Sequence, residues 1–341
     1  LLSVRQLRGA SSLKKDGLRP DELLIGGTAW AFSNSELVNE LDVLFVDEAG
    51  QLPLAQLAGA SRSASSIVLL GDQMQLPAPS EGHHPGESGA SCLDYLLRGA
   101  ETVPTDMGIF LPITYRLHPS LCKLVSELSY RGLLKPHPST SQRSIELTTG
   151  GKTSSSSSLL APRLTNGVQF VGIEHEGNSQ SSIEEVEAIQ TICKQLLDDG
   201  IFIDGDEAKR PITPSDILVV APYNLQVRAL EAALPDSVRV GTVDRFQGQE
   251  APIVLLSLCH SDFGSTSSTD AKEGGTDGDA SAGGGSERGL SFVLNPNRIN
   301  VALSRAQCLA VVVGSPKLAD ANPKTLQQQR ELNVLCRIIE E

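Results

Sequence analysis

Two adjacent carboxylates, Asp47 and Glu48, are the residues of this sequence best suited to do chemistry. They follow the apolar residues 43–46 and precede small residues. A short continuous apolar run predicts a strand buried on both faces, and ligands of open α/β sheets bind beyond the carboxyl ends of such strands. Carboxylates placed there can hold Mg²⁺ and activate a water molecule, as phosphoryl transfer requires. The alternative for an isolated pair is a strand that merely ends in charged residues.

Further strings with suitable residue types follow the acidic pair along the chain. The full set, in order, is VDEA at 46–49, GDQMQLP at 71–77, TYRLHP at 114–119, GTVDRFQGQE at 241–250 and RINVALSRA at 298–306. Arginine is planar, always charged and suited to bidentate phosphate contacts, so Arg116 and Arg305 are candidate phosphate ligands. Tyr115 can stack on a base, with a role as a core aromatic as the alternative. Gln73 follows an apolar run and can carry an amide to a phosphate or a water, with a plain turn residue as the alternative.

Buried strands that alternate with helices must position these strings. This alternation predicts an α/β fold with parallel sheets. We expect two domains, residues 1–112 and 113–322, followed by a C-terminal helix at 323–341. Residues 1–21 are predicted to be mainly helical. Residues 139–160 and 262–289 are polar and rich in Ser, Gly and Asp, and are predicted to be flexible insertions.

Composition limits the class of protein. Lys and Arg total 28 and Asp and Glu total 41, which gives a net charge of −13. Nucleic-acid binding would therefore use a local groove instead of a generally basic surface. The six cysteines are scattered without a CxxC pair, which argues against a zinc site and favours a reducing, intracellular setting. No apolar run reaches the length of a membrane span. The chain begins at Leu1, and we expect it to be part of a longer protein.

In their order, the five strings resemble motifs II to VI of the superfamily 1 helicases. The resemblance covers about residues 23–314, and it is to the branch that includes nonsense-mediated-decay helicases and DNA-processing nuclease-helicases. The strings GGTAW at 26–30 and APYN at 221–224 resemble proteins that join a RecB-like nuclease domain to such a helicase. The resemblance implies two RecA-like P-loop NTPase-type domains, of which the first is incomplete here.

The resemblance also implies roles for the residues of the nucleotide site. By this resemblance, Asp47 holds Mg²⁺ and Glu48 is the catalytic residue that activates water. Arg116 and Arg305 are catalytic arginine fingers that contact ATP when the two domains close. The cofactor-binding residues are expected to be Gln73, Tyr115, Gln247, Gly248 and Glu250, with Glu250 bonding the ribose or the closed cleft.

The same resemblance implies a site for single-stranded DNA or RNA. Thr242 follows a strand and is expected to contact a phosphate of the nucleic acid through its hydroxyl and backbone NH. Pro222, Tyr223 and Asn224 end another strand and are expected to touch the nucleic acid as well. Binding of this sort uses backbone contacts and stacking, and so it needs no strongly basic chain.

One motif of the family is absent from the sequence. A P-loop, GxxxxGK[ST], should precede the acidic strand, and no such string occurs before Asp47. Residues 150–153, GGKT, lack the required earlier glycine because Glu146 stands at its position, so we reject them as a P-loop. The expected function is therefore the carboxyl-terminal portion of an ATP-dependent helicase that is inactive on its own. The alternatives are a non-catalytic nucleic-acid or partner-binding protein and the helicase part of a nuclease-helicase fusion.

Overall fold

The computed structural model describes residues 4–7, 23–77, 85–148, 159–160, 166–205, 209–261 and 290–341. The chain divides into two compact units, Leu1–Phe110 and Leu111–Glu341, here called unit 1 and unit 2. The predicted boundary lay two residues later. The string GGKT at 150–153 and the predicted insertion at 262–289 lie outside the described residues.

Unit 1 is an α/β unit with short parallel strands. β1 pairs with β2, and β3 pairs with β4, both in parallel. Its strands are β1 (Val4–Leu7), β2 (Leu24–Gly27), β3 (Leu41–Val46) and β4 (Ala64–Leu69). Its helices are α1 (Ala29–Phe32), α2 (Leu54–Ser61) and α3 (Cys92–Leu97), with a 3-10 helix at Ser35–Leu37. The prediction of a helix at 1–21 was wrong at Val4–Leu7, which is a strand, and residues 8–22 lie outside the described residues.

The prediction that the acidic strand is buried on both faces was also wrong. Leu44 is 4% exposed and packs in a core with Leu37 and Ala31, whereas Phe45 on the opposite face is 62% exposed. Val68, the partner of Phe45 on β4, is 38% exposed. Successive side chains of a strand point to opposite faces, so only one face of the β3–β4 pair is covered within the described residues.

Unit 2 is built on a parallel sheet of five strands in the order β12-β11-β13-β14-β8. These are β8 (Gly167–Gly172), β11 (Ile217–Val220), β12 (Arg239–Gly241), β13 (Ala251–Ser257) and β14 (Ala306–Gly314). All residues of β11 and β13 are buried, as expected for central parallel strands with both faces covered. The α/β class with parallel sheets is thus confirmed.

Helices of unit 2 cover this sheet. They are α4 (Pro119–Ser129), α5 (Ile183–Asp199), α6 (Asn224–Ala233), α7 (Leu290–Val293), α8 (Pro296–Ser304) and α9 (Leu326–Glu340). On α5, the buried residues Val186, Ile189, Ile192 and Leu196 recur at steps of three or four, and they pack in the main core with strands β11, β13 and β14. In the described part of the chain, no helix has the length and apolar character needed to cross a membrane.

Part of the predicted insertion at 139–160 is ordered secondary structure. A 3-10 helix at Pro138–Gln142 is followed by β7 (Ser144–Leu147), which pairs antiparallel with β9 (Gly200–Ile203). On its other side, β9 pairs with β10 (Arg210–Pro211). A short parallel pair, β5 (Ile113–Thr114) with β6 (Lys135–Pro136), precedes this sheet, and further 3-10 helices lie at Pro214–Asp216, Asp244–Phe246 and Pro316–Asp320. The prediction of a flexible loop was therefore wrong for 139–148, and 149–158 lie outside the described residues.

A buried polar network fastens α5 to the end of β13. The carboxylate of Glu185 is fully buried and accepts hydrogen bonds from Ser257 Oγ at 2.6 Å and from the Cys259 backbone NH at 2.9 Å. His175 Nε2 lies 2.8 Å from the other carboxylate oxygen, and His175 Nδ1 lies 2.6 Å from Ser261 Oγ. Each of these buried polar atoms has a partner, which is the condition under which such a network stabilises a core.

Candidate functional site

The acidic turn of unit 1 begins directly after β3. Asp47 and Glu48 are both exposed, and Glu48 adopts a φ of 53°, in the left-handed region. Asp47 Oδ1 accepts a hydrogen bond from the Glu48 backbone NH at 3.0 Å, and Gln51 Nε2 donates to Glu48 Oε2 at 3.0 Å. Two neighbouring carboxylates are thus held at a strand end with oxygens open to solvent. Such oxygens suit Mg²⁺, which proteins commonly hold with one or two carboxylates together with water and substrate phosphates.

The turn after β4 packs closely against the acidic turn. A Cβ added to Gly71 would lie 2.7 Å from the Ala49 backbone nitrogen, so only glycine fits there. Gln73 follows in the same turn, and its side-chain Nε2 donates to the backbone oxygens of Ala100 at 3.0 Å and Glu101 at 2.7 Å. The amide of Gln73 is therefore engaged with the segment that follows α3, beside the acidic turn.

In unit 2, Arg116 joins three of the predicted strings. Its Nε donates to Glu250 Oε2 at 2.5 Å, and its Nη1 donates to the Ser304 backbone oxygen at 3.1 Å. Gln307 Nε2 donates to the other oxygen of Glu250 at 2.8 Å. Burial opposes ionisation of Glu250, but the bonds from Arg116 and Gln307 outweigh it and hold its pKa below the ordinary value. The cluster therefore carries a guanidinium and an ionised carboxylate at neutral pH.

Arg305 lies beside this cluster and is almost fully buried. It is 3% exposed, and its Nη1 donates to the Gln249 backbone oxygen at 3.3 Å. Its own backbone oxygen accepts from the Ala251 NH at 3.0 Å. Glu250 and Arg305 each stand one residue before a strand of the parallel sheet, β13 and β14, so both lie at the amino edge of that sheet. The structure thus brings Arg116, Glu250 and Arg305 together.

Tyr115 presents its ring at the surface beside Arg116. It is 66% exposed, so the alternative of a core aromatic is wrong. One face of the ring stacks on His137, with the centroids 4.4 Å apart and the planes at 25°. An exposed ring supported on one face is suited to stacking against a planar group on the other.

The expected nucleic-acid residues lie at the opposite, carboxyl edge of the sheet. Pro222, Tyr223 and Asn224 follow β11 and Thr242 follows β12, and these strands are parallel neighbours. Asn224 is exposed and Thr242 half-buried, whereas the Tyr223 ring is buried against Phe292 at a centroid distance of 5.3 Å. Adjacent strand ends therefore place the four predicted residues on one edge.

Residues 242–250 connect the two edges of the sheet. β12 and β13 are both parallel to β11, so the chain leaves β12 at the carboxyl edge and enters β13 at the amino edge. The 3-10 helix Asp244–Phe246 lies within this connection, followed by Gln247 and by Gly248, whose φ of 76° suits glycine. One segment thus carries Thr242 at one edge and Glu250 at the other.

Several residues around these sites were not predicted from the sequence. His137 and Arg143 contact Tyr115 and Arg116, and Phe292 lies under the guanidinium of Arg298, 4.0 Å from the ring centroid. Arg143 stands just before β7, in the stretch predicted to be flexible. The alternation of polar and apolar residues over 144–147 is a strand signal that would have corrected this prediction.

The chain is similar to a known domain family and to several larger proteins. The AAA domain family model (AAA_12) matches residues 92–317. The chain is 27% identical over 330 residues to the DNA replication ATP-dependent helicase/nuclease JHS1 of Arabidopsis thaliana, covering 92% of this chain and 22% of that protein. It is 28% identical over 277 residues to DNA-binding protein SMUBP-2 of Rattus norvegicus, covering 80% and 24%.

Other similar proteins share the same partial overlap. The chain is 27% identical over 328 residues to the human (Homo sapiens) 3'-5' exoribonuclease HELZ2, covering 91% of this chain and 10% of that protein. Among solved structures, the arterivirus nonstructural protein 10 (helicase) aligns with 96% of this chain and 49% of its own, at a TM-score of 0.40 and 13% identity. The chain spans about a quarter or less of the length of the three relatives.

Proposed function

Since this chain belongs to the AAA domain family, we propose that it forms the carboxyl-terminal portion of an ATP-dependent helicase that moves along single-stranded nucleic acid. The observation that carries the proposal is the cluster of Arg116, Glu250 and Arg305, because it brings three separate strings together around positive charge. Relatives whose names state ATP-dependent helicase and DNA-binding activity support it.

In this proposal the exposed acidic turn and the arginines serve ATP hydrolysis. Asp47 would hold Mg²⁺, which neutralises phosphate charge when bound, and Glu48 would accept a proton from the attacking water. Arg116 and Arg305 would bind phosphate oxygens, and Tyr115 would stack on the base. Gln73 would report the state of the phosphates, and Gln247, Gly248 and Glu250 would complete the nucleotide site.

The proposal requires a P-loop, and we place it in a segment of the same protein ahead of Leu1. The length of the relatives supports this, since the chain spans at most 24% of JHS1 and SMUBP-2. The exposed apolar face at Phe45 and Val68 supports it as well, because apolar sheet faces are normally covered. The free state of all six cysteines fits a reducing compartment inside the cell.

The carboxyl edge of the sheet is the proposed contact for single-stranded DNA or RNA. Thr242 and Asn224 offer hydroxyl and amide groups on neighbouring strand ends, and backbone NH groups follow each strand. Tyr223, held against Phe292, and Pro222 would shape this edge. The net charge of −13 leaves such local contacts as the source of binding, because the chain as a whole repels a polyanion.

The test is Glu48→Gln in the complete protein. We expect this variant to bind ATP as the wild type does and to lose nucleic-acid-stimulated hydrolysis by at least about a hundredfold, as expected for removal of a general base. Glu36→Gln, an exposed glutamate of the same unit, is the matched control and should hydrolyse ATP normally. Normal turnover by Glu48→Gln would remove Glu48 from the mechanism.

A second measurement tests the placement of the P-loop. We expect the 341-residue chain alone to hydrolyse ATP barely above background. Robust stimulated turnover by this chain would show that its phosphate site is complete and that the P-loop assignment is wrong. Absence of hydrolysis by the complete protein would favour a non-catalytic nucleic-acid-binding protein instead.

A further inference from the structure

A seven-residue segment of unit 2 brackets the dipeptide Tyr115-Arg116. At its start, His137 stacks on the Tyr115 ring with centroids 4.4 Å apart. At its end, Arg143 Nη1 donates to the backbone oxygen of Arg116 at 2.5 Å and lies 3.5 Å from that of Tyr115. We propose that His137 and Arg143 are positioning residues, of which His137 aims the ring of Tyr115 at a nucleotide base and Arg143 fixes the backbone that carries Arg116. The inference rests on the proposed function.

Both ends of the segment 137–143 are anchored by further contacts. The His137 backbone NH donates to the backbone oxygen of Thr114, the residue before Tyr115, at 2.8 Å. His137 Nδ1 accepts from the Ser139 NH at 3.3 Å and caps the 3-10 helix Pro138–Gln142. Arg143 Nε forms an ion pair with Asp204 at 3.0 Å, and its side chain is only 16% exposed. These contacts therefore fix the distance between His137 and Arg143.

The two contacts would act on different parts of a nucleotide. Tyr115 is 66% exposed although His137 covers one face, so the other face is available to a base. Within the dipeptide, Arg143 bonds only to the carbonyl oxygens, so its hydrogen bonds act on a phosphate by holding the backbone that carries Arg116. Loss of the His137 stack should weaken binding of ligands that have a base. Loss of the hydrogen bonds from Arg143 to the dipeptide backbone, here called the clamp, should weaken binding of every ligand with phosphates.

Substitutions at His137 separate stacking from helix capping. Asparagine can cap the 3-10 helix but cannot stack, and phenylalanine can stack but cannot cap. We expect His137→Asn to weaken binding of ATP to the complete protein by roughly three- to tenfold, the size of one aromatic contact, and to leave binding of inorganic triphosphate unchanged. His137→Phe should bind both ligands as the wild type does. Titration calorimetry, or ligand-induced NMR shifts if binding is weak, measures this. If His137→Phe weakened ATP binding and His137→Asn did not, His137 would act as a helix cap, and its assignment as the support of the Tyr115 ring would be overturned.

Arg143→Gln tests the clamp, with Arg210→Gln as its matched control. Arg210 also pairs with an aspartate of unit 2, Asp216, but it makes no hydrogen bond to Tyr115 or Arg116 among the described contacts. We expect Arg143→Gln to weaken ATP and triphosphate alike by roughly tenfold. It should also speed amide hydrogen exchange at residues 115–117, whereas the control should change neither property.

The outcomes of these measurements are distinguishable. Equal behaviour of Arg143→Gln and Arg210→Gln would overturn the clamp. Absence of ATP binding by the complete wild-type protein would overturn the proposed nucleotide role of Tyr115 and Arg116, and with it their positioning for a nucleotide. Hydrogen exchange would still show in that case whether Arg143 orders the dipeptide.

Discussion

Removal of the buried carboxylate of Glu185 should destabilise unit 2 strongly. Glu185→Ala leaves three buried donors without their acceptor, namely His175 Nε2, Ser257 Oγ and the Cys259 NH. A buried donor that loses its acceptor costs roughly 1–3 kcal/mol. We expect a total loss of about 4 kcal/mol, near the lower end of the sum, because water can enter the space vacated by the carboxylate.

This loss is large enough to measure by urea denaturation. With a slope of about 2 kcal/mol per molar urea, the unfolding midpoint should fall by about 2 M. Hydrogen exchange of amides in β13 and β14 measures the stability of unit 2 directly. Glu185→Gln keeps one acceptor oxygen and should lie between Glu185→Ala and wild type. Glu187→Ala, an exposed glutamate on the same helix, should change the stability by less than about 0.5 kcal/mol. A loss below about 1 kcal/mol for Glu185→Ala would refute the view that the network fastens α5 to β13.

Two further predictions concern other parts of the chain. Gly71→Ala should destabilise unit 1 by about 1–3 kcal/mol, because the added Cβ would lie 2.7 Å from the Ala49 nitrogen. Gly26→Ala is the control and should not destabilise the unit, because no atom lies within 4 Å of its Cβ. Hydrogen exchange of the amides in β3 and β4 distinguishes the two variants. Burial opposes ionisation of Asp216, but bonds from Arg210 and Thr213 outweigh it and lower its pKa below the ordinary 3.8. The stability difference between wild type and Asp216→Asn should therefore be constant above about pH 5 and should shrink as the pH falls below 3.8 through the folded-state pKa, as urea titrations at several pH values would show.

The sequence was sufficient where a local pattern decides the structure. Residues 183–198 repeat apolar side chains at helical spacing, and α5 occupies Ile183–Asp199. The apolar runs before Pro222 and Thr242 predicted parallel strands, and their ends meet at one edge as expected. The placement of Thr242 and Tyr223 therefore followed from strand ends alone.

The sequence was insufficient where contacts between distant residues decide the structure. Phe45 has the apolar character of a buried strand residue, but burial depends on what covers the sheet, and no local pattern contains that information. Arg143 was missed because its partners at 115, 116 and 204 are distant in the chain and its neighbours are polar. The bond from Arg116 to Glu250 joins residues 134 positions apart, and only the fold reveals it.

The short connection between β12 and β13 limits how the two edges of the sheet can move. A crossover between parallel strands usually takes a dozen or more residues, whereas nine residues, 242–250, pass here from one edge to the other. Three of them form the 3-10 helix Asp244–Phe246, which advances about 2 Å per residue, and the other six span at most about 20 Å when extended. Because so few residues separate the two edges, we expect a displacement of Thr242 to shift the position of Glu250.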